Sequence, residues 1–388
     1  MSKSSGPSEK YRLVDCPAVI DAQAQHDSKT SVKYVFVCGL ERSGTTLLAS
    51  NLARLENCTG FNDTGVMKDE GQYLQHVYRS DPEFGGAGRY GFDPRAHLTE
   101  ASDLLTPANV ISLRESWHAH WESGKSICLE KTPGNLIRTR FLQAAFPNSY
   151  FVVITRHPVP VSLATQKWSV TPLHRLFRHW LRCYGLFEQD KKHLKNLYEL
   201  TYEDYINNPA RHHQDIAAFI GTCARTDLME EVDAAHNRRY FDRWVAMLSD
   251  SPWKSYYRCI AGTYESSFAN YGYSLIDGCG LGEEMFRNVG KAASGRGALC
   301  CVVADFIMFP WRIGRKALWS LERQLRVHLP QSTMAFIRRL LGKAPTRGPV
   351  SAGEDRGNRD SARTRSSEHP HARFKNGRAR RSSGPPIT

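Results

Sequence analysis

The chain has 388 residues, of which 41% are hydrophobic and 23% are charged, and it carries a formal net charge of +13. This composition is ordinary for a soluble globular protein, and the length allows one large α/β core or two domains. Residues 1–285 carry 31 Lys and Arg against 33 Asp and Glu, so the positive excess lies entirely in the last quarter of the chain. Because the front has no basic excess, we expect no specific nucleic-acid partner.

Neither the cysteines nor the apolar segments indicate an exported or membrane-spanning protein. The ten cysteines form no Cys-x-x-Cys pair and no Cys/His cluster at zinc spacing, which favours a reducing compartment. Residues 1–32 are predicted to be a polar, partly disordered leader without the apolar core of a signal peptide. The most apolar window, residues 298–311, contains Asp305 and is too short to span a bilayer. We therefore expect a cytoplasmic protein.

The first clear element is a short apolar run that breaks into a glycine-bounded loop and then continues as an apolar segment with helical spacing. Residues 34–38 are mostly β-branched or aromatic, as is typical of a buried parallel strand. The loop contains six residues suited to holding phosphate or sulfate: Gly39, Arg42, Ser43, Gly44, Thr45 and Thr46. A nucleoside triphosphatase would carry lysine directly after the second glycine, where this chain has Thr45, and here the positive charge comes earlier, at Arg42.

The remaining pattern alternates strands and helices. Residues 58–91, rich in glycine and aspartate, predict an irregular functional loop region with one short helix at 71–78. Periodicity, prolines and glycines then predict these elements in chain order: helix 107–124, strand 126–129, helix 133–146, strand 150–155, helix to 168, helix 173–196, strand 197–202 and helix 212–220. This order predicts an α/β three-layer sandwich with a mostly parallel central sheet, which binds ligands at the carboxyl ends of its strands.

Three further motifs follow predicted strands. The segment Glu130-Lys131-Thr132-Pro133 comes at the end of the second strand. Arg156 follows the third strand, and Ser162 lies six residues later, where a guanidinium and a hydroxyl near a helix N-terminus could bind one phosphate. The segment Tyr202-Glu203-Asp204 begins at the last residue of the fourth predicted strand. All three motifs are therefore expected at the edge of the sheet that also carries the first loop.

In this order, the loop and the three motifs resemble the sulfotransferase family that uses 3′-phosphoadenosine 5′-phosphosulfate (PAPS). The loop is similar to the family's 5′-phosphosulfate loop, and its arginine is closest in style to the bacterial, protein-tyrosine and glycan branches. The resemblance covers about residues 34–221 and implies the P-loop NTPase-like sulfotransferase fold. It implies a transferase with PAPS as co-substrate and adenosine 3′,5′-bisphosphate as product. No metal is expected, because arginine, lysine and helix termini meet the charge of the donor.

The resemblance also implies roles for individual residues. Arg42 and Lys131 would stabilise the transferred sulfuryl group and the bridging oxygen. The nucleotide would be held by residues of the loop and of the later motifs: Arg42, Ser43, Gly44, Thr45, Thr46, Arg156, Ser162 and Tyr202. Tyr202 would lie beneath the adenosine, and Arg156 with Ser162 would bind the 3′-phosphate.

The site also needs a general base, because sulfuryl transfer to a hydroxyl is an in-line displacement that releases a proton. In the resembling branches the base is a glutamate shortly after the first helix, which indicates Glu70, with Asp69, His76 and His157 as open alternatives. The tyrosine-sulfating branch has an acidic pair followed by arginine, and this chain has Gly71 there. The acceptor could be a glycan, a lipid-linked sugar, a small metabolite or a protein side chain.

The C-terminal quarter is predicted to extend a sulfotransferase domain at residues 33–282. Residues 283–342 indicate a basic amphipathic helical extension, and residues 343–388 a disordered basic tail. The extension could lie on an anionic membrane surface, at the inner face of a membrane, or it could pack on the domain with its basic faces in solvent. Two rival functions stay open: a P-loop kinase of a small hydroxylated substrate, and a non-catalytic membrane-binding protein on a degenerate nucleotide fold.

Overall fold

The computed structural model describes residues 32–230 and 235–277, with the isolated positions 310, 313, 314 and 317. The chain divides into two compact units, the first made of the described residues 32–86, 90–156 and 183–230, the second of the remaining ones. The predicted leader up to residue 31, the predicted tail 343–388 and all but those isolated positions of the predicted extension 283–342 lie outside the described residues.

A parallel sheet organises the first unit. The described residues form five strands, numbered in chain order: β1 (Lys33–Cys38), β2 (Cys58–Gly60), β3 (Ile127–Lys131), β4 (Ser149–Thr155) and β5 (Leu197–Thr201). Their order across the sheet is β2-β3-β1-β4-β5, and every neighbouring pair is parallel. The predicted α/β class with a mostly parallel central sheet is therefore confirmed. Strand β2 was not predicted, because three residues at a sheet edge are too few to show a periodic pattern.

The helices follow the predicted alternation. In the described residues they are α1 (Thr45–Leu52), α2 (Pro107–His118), α3 (Thr139–Ala145), α4 (Pro158–Thr165), α5 (Leu173–Asp190), α6 (Tyr202–Asn207), α7 (Pro209–Ile220), α8 (Ala235–Ser249) and α9 (Lys254–Ala269). Helix α7 ends as predicted at Gly221, whose left-handed conformation (φ +78°) is typical of a helix C-terminus. Helix α6 was not predicted, since residue 202 was assigned to the preceding strand.

Four helices are shorter than predicted, and one of them, α4, ends at Thr165 where the sequence predicts a helix to residue 168. Helix α2 ends at His118, after which the chain forms turns before β3. Helix α3 begins only after a 3₁₀ turn at Pro133–Ile137, because Arg138 leaves the helical region at φ −130°. Helix α5 ends at Asp190, since a 3₁₀ turn at Lys191–His193 leads the chain into β5. In each case the apolar spacing extends beyond the residues whose backbone is helical.

The segment after β2 is irregular, as predicted, but it contains several 3₁₀ turns. In the first unit these are Met67–Asp69, Gly71–Tyr73, Asp81–Phe84, Tyr90–Phe92 and Pro94–Ala96. The predicted helix at 71–78 is therefore reduced to one turn. The Gln75 side chain gives the physical reason, because its amide bonds the backbone of Gln72, Val77 and Tyr78 in place of helical hydrogen bonds.

Apolar side chains cover both faces of the sheet. On one face, alternate strand residues join helices α1 and α7 in a buried cluster that includes Val35, Val37, Leu48, Leu52, Leu129, Val152, Ile154 and Ile216. On the other face, Phe36 stacks on Phe151 and packs against Trp117 of α2. Successive strand residues point to opposite faces, so this alternation produces the predicted three layers.

The second unit is helical in the described residues. Phe177, Trp180 and Phe268 are buried there and meet edge to face. The buried Trp244 of α8 donates its indole N–H to the Leu275 carbonyl at 2.7 Å. Helices α8 and α9 were not predicted from the sequence. Among the described helices, none combines the length and apolar character needed to cross a membrane.

Candidate active site

The loop after β1 depends on two glycines. Gly39 has φ +150°, and a Cβ there would collide with the Ile154 carbonyl oxygen of the neighbouring strand. Gly44 has φ +97° at the start of α1, and a Cβ there would lie 2.5 Å from the Tyr202 ring. A side chain is therefore excluded at both positions by conformation and by space. The two ends of the loop are thereby tied to β4 and to the start of α6.

The loop delivers backbone N–H groups at the start of α1. No acidic residue lies in the first turn of α1, and no side chain in the described residues caps its N-terminus. Ser43 and Thr45 are buried, whereas Arg42 and Thr46 are exposed. Arg42 adopts φ +72°, an uncommon conformation for a residue with a side chain. An uncapped helix start beside an arginine and hydroxyls is suited to an anion.

Arg156, at the end of β4, is packed against the same loop. Its Nη1 donates to the Arg42 carbonyl oxygen at 2.7 Å. Its guanidinium carbon lies 3.9 Å from the centroid of the Tyr202 ring, which is within cation–π range. The structure therefore brings together the loop, Arg156 and Tyr202, three parts that are far apart in sequence.

Ser162 lies in the second unit, on α4. Its hydroxyl is buried, and no hydrogen-bond partner for it is found in the described residues. A buried hydroxyl without a hydrogen-bond partner lowers the stability of the fold. The Ser162 hydroxyl is therefore suited to donate a hydrogen bond to an anionic ligand. His157, one alternative base, caps α4: its Nδ1 accepts from the Val159 N–H, and its Nε2 lies 2.9 Å from the Ser274 carbonyl oxygen. Both of its nitrogens are engaged in this structural role.

Glu70 and Lys131 form a buried pair. Their side chains are 5% and 6% exposed, and Lys131 Nζ lies 3.4 Å from Glu70 Oε1. Lys131 Nζ also donates to the Lys68 carbonyl oxygen at 3.1 Å. Burial lowers the pKa of Lys131, while the Glu70 charge opposes that shift. A carboxylate and an amine are thus placed together at the carboxyl end of β3.

The other two predicted bases are placed differently. The Asp69 carboxylate accepts from the Thr64 backbone N–H at 2.8 Å and from the Thr64 hydroxyl at 2.6 Å. The Thr64 hydroxyl bond is the largest cause that lowers the pKa of Asp69. His76 is exposed to solvent. Of these three neighbouring candidates, only Glu70 makes a described contact with Lys131.

Glu130 is a functional candidate that was not predicted from the sequence. Its buried carboxylate accepts from the Gly71 N–H at 2.9 Å and from the Thr132 hydroxyl and the Asn135 side-chain amide. Burial raises the pKa of Glu130 to about 7, against the effect of these hydrogen bonds. The available signal was a carboxylate directly after the apolar run 126–129, because a carboxylate that continues a buried strand is rarely left unpaired.

A second missed residue is Glu41, within the loop itself. Burial and the charges of Asp81 and Glu70 raise its pKa to about 8. An acidic residue in an anion-binding loop was a visible signal, because a neutral carboxyl is better tolerated there than a carboxylate. The structure also pairs the buried Asp81 with the buried Arg138 at 2.7 Å. In the described residues, no group of three or more His, Cys, Asp and Glu is placed to hold a metal ion.

A comparison with protein-family models gives one match. Residues 35–225 match the family model described as "Sulfotransferase family". No curated protein matches the sequence. One similar solved structure is the sulfotransferase domain from the curacin biosynthetic pathway, at 14% identity over 63% of this chain and 98% of that chain, with a TM-score of 0.37.

Two further structures show similar partial overlaps. The sulfotransferase domain from the Synechococcus PCC 7002 olefin synthase is 17% identical over 55% of this chain and 89% of that chain, with a TM-score of 0.37. A sulfotransferase from Alicyclobacillus acidocaldarius is 15% identical over 56% of this chain and 92% of that chain, with a TM-score of 0.34. The identification rests on the family match, which includes the loop, Lys131, Arg156 and Tyr202. Through residues 35–225, the chain belongs to the sulfotransferase family of enzymes.

Proposed function

We propose that this sulfotransferase uses PAPS as its donor and sulfates an acceptor hydroxyl with Glu70 as the general base. The observation that carries the proposal is the buried Glu70–Lys131 pair, 3.4 Å apart, at the sheet edge that also carries the phosphate-type loop. A carboxylate and an amine held in one buried place are suited to accept a proton and to stabilise developing negative charge.

The residues of the loop and of the neighbouring strand end fit a nucleotide with two anionic groups. The start of α1, with Ser43, Gly44, Thr45 and Thr46, would hold the 5′-phosphosulfate. The Arg156 guanidinium would bind the 3′-phosphate while stacking on Tyr202. The motif in the sequence, rather than any distance, assigns Ser162 to that phosphate. PAPS, when bound, supplies the sulfuryl group.

The side chains then have distinct tasks. A Glu70 carboxylate oxygen would take the proton from the acceptor hydroxyl as the acceptor oxygen bonds to sulfur. The bond between sulfur and the bridging phosphate oxygen would break at the same time, which releases adenosine 3′,5′-bisphosphate. Lys131 would stabilise negative charge on the sulfuryl and bridging oxygens, and Arg42, exposed beside the helix start, would add a second cation. The acceptor is proposed to be a glycan, a lipid-linked sugar or a small metabolite.

Nucleotide binding provides the first test. Adenosine 3′,5′-bisphosphate should raise the melting temperature, whereas adenosine 5′-phosphate at the same concentration should do so much less, because only the former has the group that Arg156 would bind. Equal shifts would contradict the donor assignment.

Turnover provides the second test. Incubation with sulfur-labelled PAPS and a host-cell extract should transfer label to an extract component, and the Glu70→Gln variant should lose this transfer. Magnesium-dependent turnover of ATP, with no transfer from PAPS, would instead support a kinase.

Membrane attachment of this enzyme, at the inner face of a cytoplasmic membrane, is proposed from the sequence alone. The basic residues on which it depends, at 312–339, all lie outside the described residues. Flotation of the full chain with anionic liposomes, compared with neutral liposomes, tests the idea. Recovery in the lipid-free fraction in both cases would contradict it.

A further inference from the structure

One buried side chain contacts the Glu70 carboxylate besides Lys131. Gln72 is 3% exposed, and its Nε2 donates to Glu70 Oε2 at 2.6 Å. The amide oxygen of Gln72 accepts from the Asp81 backbone N–H at 2.7 Å. Glu70 Oε1 is the oxygen nearer Lys131. The two carboxylate oxygens of Glu70 therefore have different partners.

The orientation of the Gln72 amide is determined by its two partners. The Asp81 N–H can only donate, so it selects the oxygen of the amide. The Nε2 group must then face Glu70. Reversing the amide would place an oxygen against the carboxylate and leave the buried Asp81 N–H without an acceptor, which is unfavourable for a group away from water.

The backbone between Glu70 and Gln72 is held as well. The Gly71 N–H donates to Glu130 Oε1 at 2.9 Å, and the Gly71 carbonyl oxygen accepts from the Trp117 indole at 2.9 Å. The Gln72 N–H lies 3.3 Å from the Thr132 hydroxyl oxygen. A Cβ on Gly71 would approach Glu130 to 2.7 Å, so the turn fits closely against β3. These contacts aim the Gln72 side chain at Glu70.

The far end of the contact chain is also anchored. Asp81, whose N–H orients Gln72, pairs with Arg138 at 2.7 Å, and both of these side chains are buried. The Arg138 guanidinium also lies over the Tyr78 ring, 5.2 Å from its centroid. Glu70, Gln72, Asp81 and Arg138 thus form one continuous buried series.

We propose that Gln72 is a positioning residue for the Glu70 general base. It holds Oε2 and so fixes the plane of the carboxylate, which directs the carboxylate toward the place where the acceptor hydroxyl must lie. The inference rests on the proposed function, because it takes Glu70 as the base. A misplaced base of this kind typically loses about 10- to 100-fold in rate.

The test compares two buried glutamines of the same segment. Gln75 is 5% exposed, and its amide bonds only backbone groups, among them the Tyr78 carbonyl oxygen at 2.7 Å. The variants Gln72→Met and Gln75→Met each replace a buried side-chain amide with an apolar side chain of similar length. The assay follows transfer from sulfur-labelled PAPS to a constant acceptor-containing fraction of the extract. Binding of adenosine 3′,5′-bisphosphate reports whether each variant is folded.

We expect Gln72→Met to lower the transfer rate about 10- to 100-fold while nucleotide binding stays unchanged. The acidic limb of its pH–rate profile should move to higher pH, because a hydrogen-bond donor to the ionised carboxylate is lost. Gln75→Met should lower the melting temperature but keep the rate and the profile. If Gln72→Met does not fold, Gln72→Asn keeps an amide that is too short to reach and should show the same loss.

Two outcomes would overturn the inference. One is a wild-type rate in Gln72→Met, and the other is a loss that Gln75→Met matches with an unchanged pH profile in both. The Glu70→Gln variant, assayed in parallel, separates this failure from that of the proposed function. If Glu70→Gln keeps the wild-type rate, the base assignment itself is wrong. If it is inactive while Gln72→Met is not, only the positioning role is wrong.

Discussion

Two regions of the first unit differ in how they are built. The loop region comprises residues 39–46 with Arg156 and Tyr202, and the carboxylate region comprises residues 66–84 with Glu130 and Lys131. The loop region depends on glycine conformation, a helix start and cations. The carboxylate region depends on buried carboxylates and amides that bond one another across the segment. The loop region is suited to bind an anion, and the carboxylate region is suited to accept a proton.

The difference shows why one region has a readable motif and the other does not. In the loop region, the unusual backbone demands glycine at two places a few residues apart, so the constraint appears as a local motif. In the carboxylate region, Gly71 meets Trp117 and Glu130, which are 46 and 59 positions away. Its constraints are distributed over the chain and leave no contiguous pattern.

The largest effect is expected in the carboxylate region. Glu70→Gln should lower the sulfuryl-transfer rate about 10²- to 10⁴-fold, because a positioned base contributes that much. Binding of adenosine 3′,5′-bisphosphate should persist, since the change leaves the loop region intact. Asp69→Asn and His76→Gln serve as matched controls and should stay close to the wild-type rate. A large loss in either control, with Glu70→Gln active, would move the base to that residue.

Next in size is the pH dependence contributed by Glu130. Its pKa is raised from an ordinary value of 4.5 to about 7, so the folded state holds this proton more tightly than the unfolded state. Stability should therefore fall as pH rises from 4.5 to 7, by at most about 3 kcal/mol from this group. Glu130→Gln should remove that slope, which denaturant unfolding of both proteins at pH 5 and pH 8 would measure.

The Glu130 prediction is tested by how the stability difference between Glu130→Gln and the wild type changes with pH. The free energy of unfolding of Glu130→Gln, minus that of the wild type, should be higher at pH 8 than at pH 5. The Asn135 Oδ1 atom is buried without a partner in the described residues, so an amide reversal of Asn135 would let it accept from the new glutamine. An equal stability difference at both pH values would show that Glu130 titrates normally.

A smaller effect is expected in the loop region. Arg156→Ala should weaken binding of adenosine 3′,5′-bisphosphate about 10- to 100-fold, since charge-assisted hydrogen bonds contribute about 1.5–3 kcal/mol. Arg54→Ala is the control, because Arg54 pairs at the surface with Glu230 and with the Leu228 carbonyl oxygen, away from the loop region. Calorimetric titration measures both. If the two variants bind equally well, Arg156 does not bind the nucleotide.

The smallest effect is expected for alanine substitutions at two glycines, which separate the cost of left-handed backbone strain from the cost of steric contact. Gly44→Ala should lower the free energy of unfolding by about 2 kcal/mol, because left-handed strain adds to contact with Tyr202. Gly65→Ala should cost about 1 kcal/mol, since Gly65 has φ +80° but no atom within 4 Å of the added Cβ. Denaturant unfolding would measure both. Equal losses would mean that the Tyr202 ring moves aside freely.

Much of the fold could be predicted from local pattern. Strands β1, β4 and β5 were recognisable as short apolar runs, and the end of α7 at Gly221 followed from the need for a left-handed residue. Strand β2, the start of α3 and the ends of α2, α4 and α5 were not predicted correctly. These features depend on where neighbouring elements stop the chain, and apolar spacing does not contain that information.

The candidate site divides in the same way. The sequence alone determined the strand–loop–helix order and the family, and it predicted which residues bind an anion, because close backbone approach and fixed charge require particular residue types at neighbouring positions. Only the tertiary structure decided that Glu70 meets Lys131, that Glu130 and Gln72 hold the turn between them, and that Glu41 favours its neutral form. These are consequences of burial and of contacts between distant segments, and both arise when the chain packs.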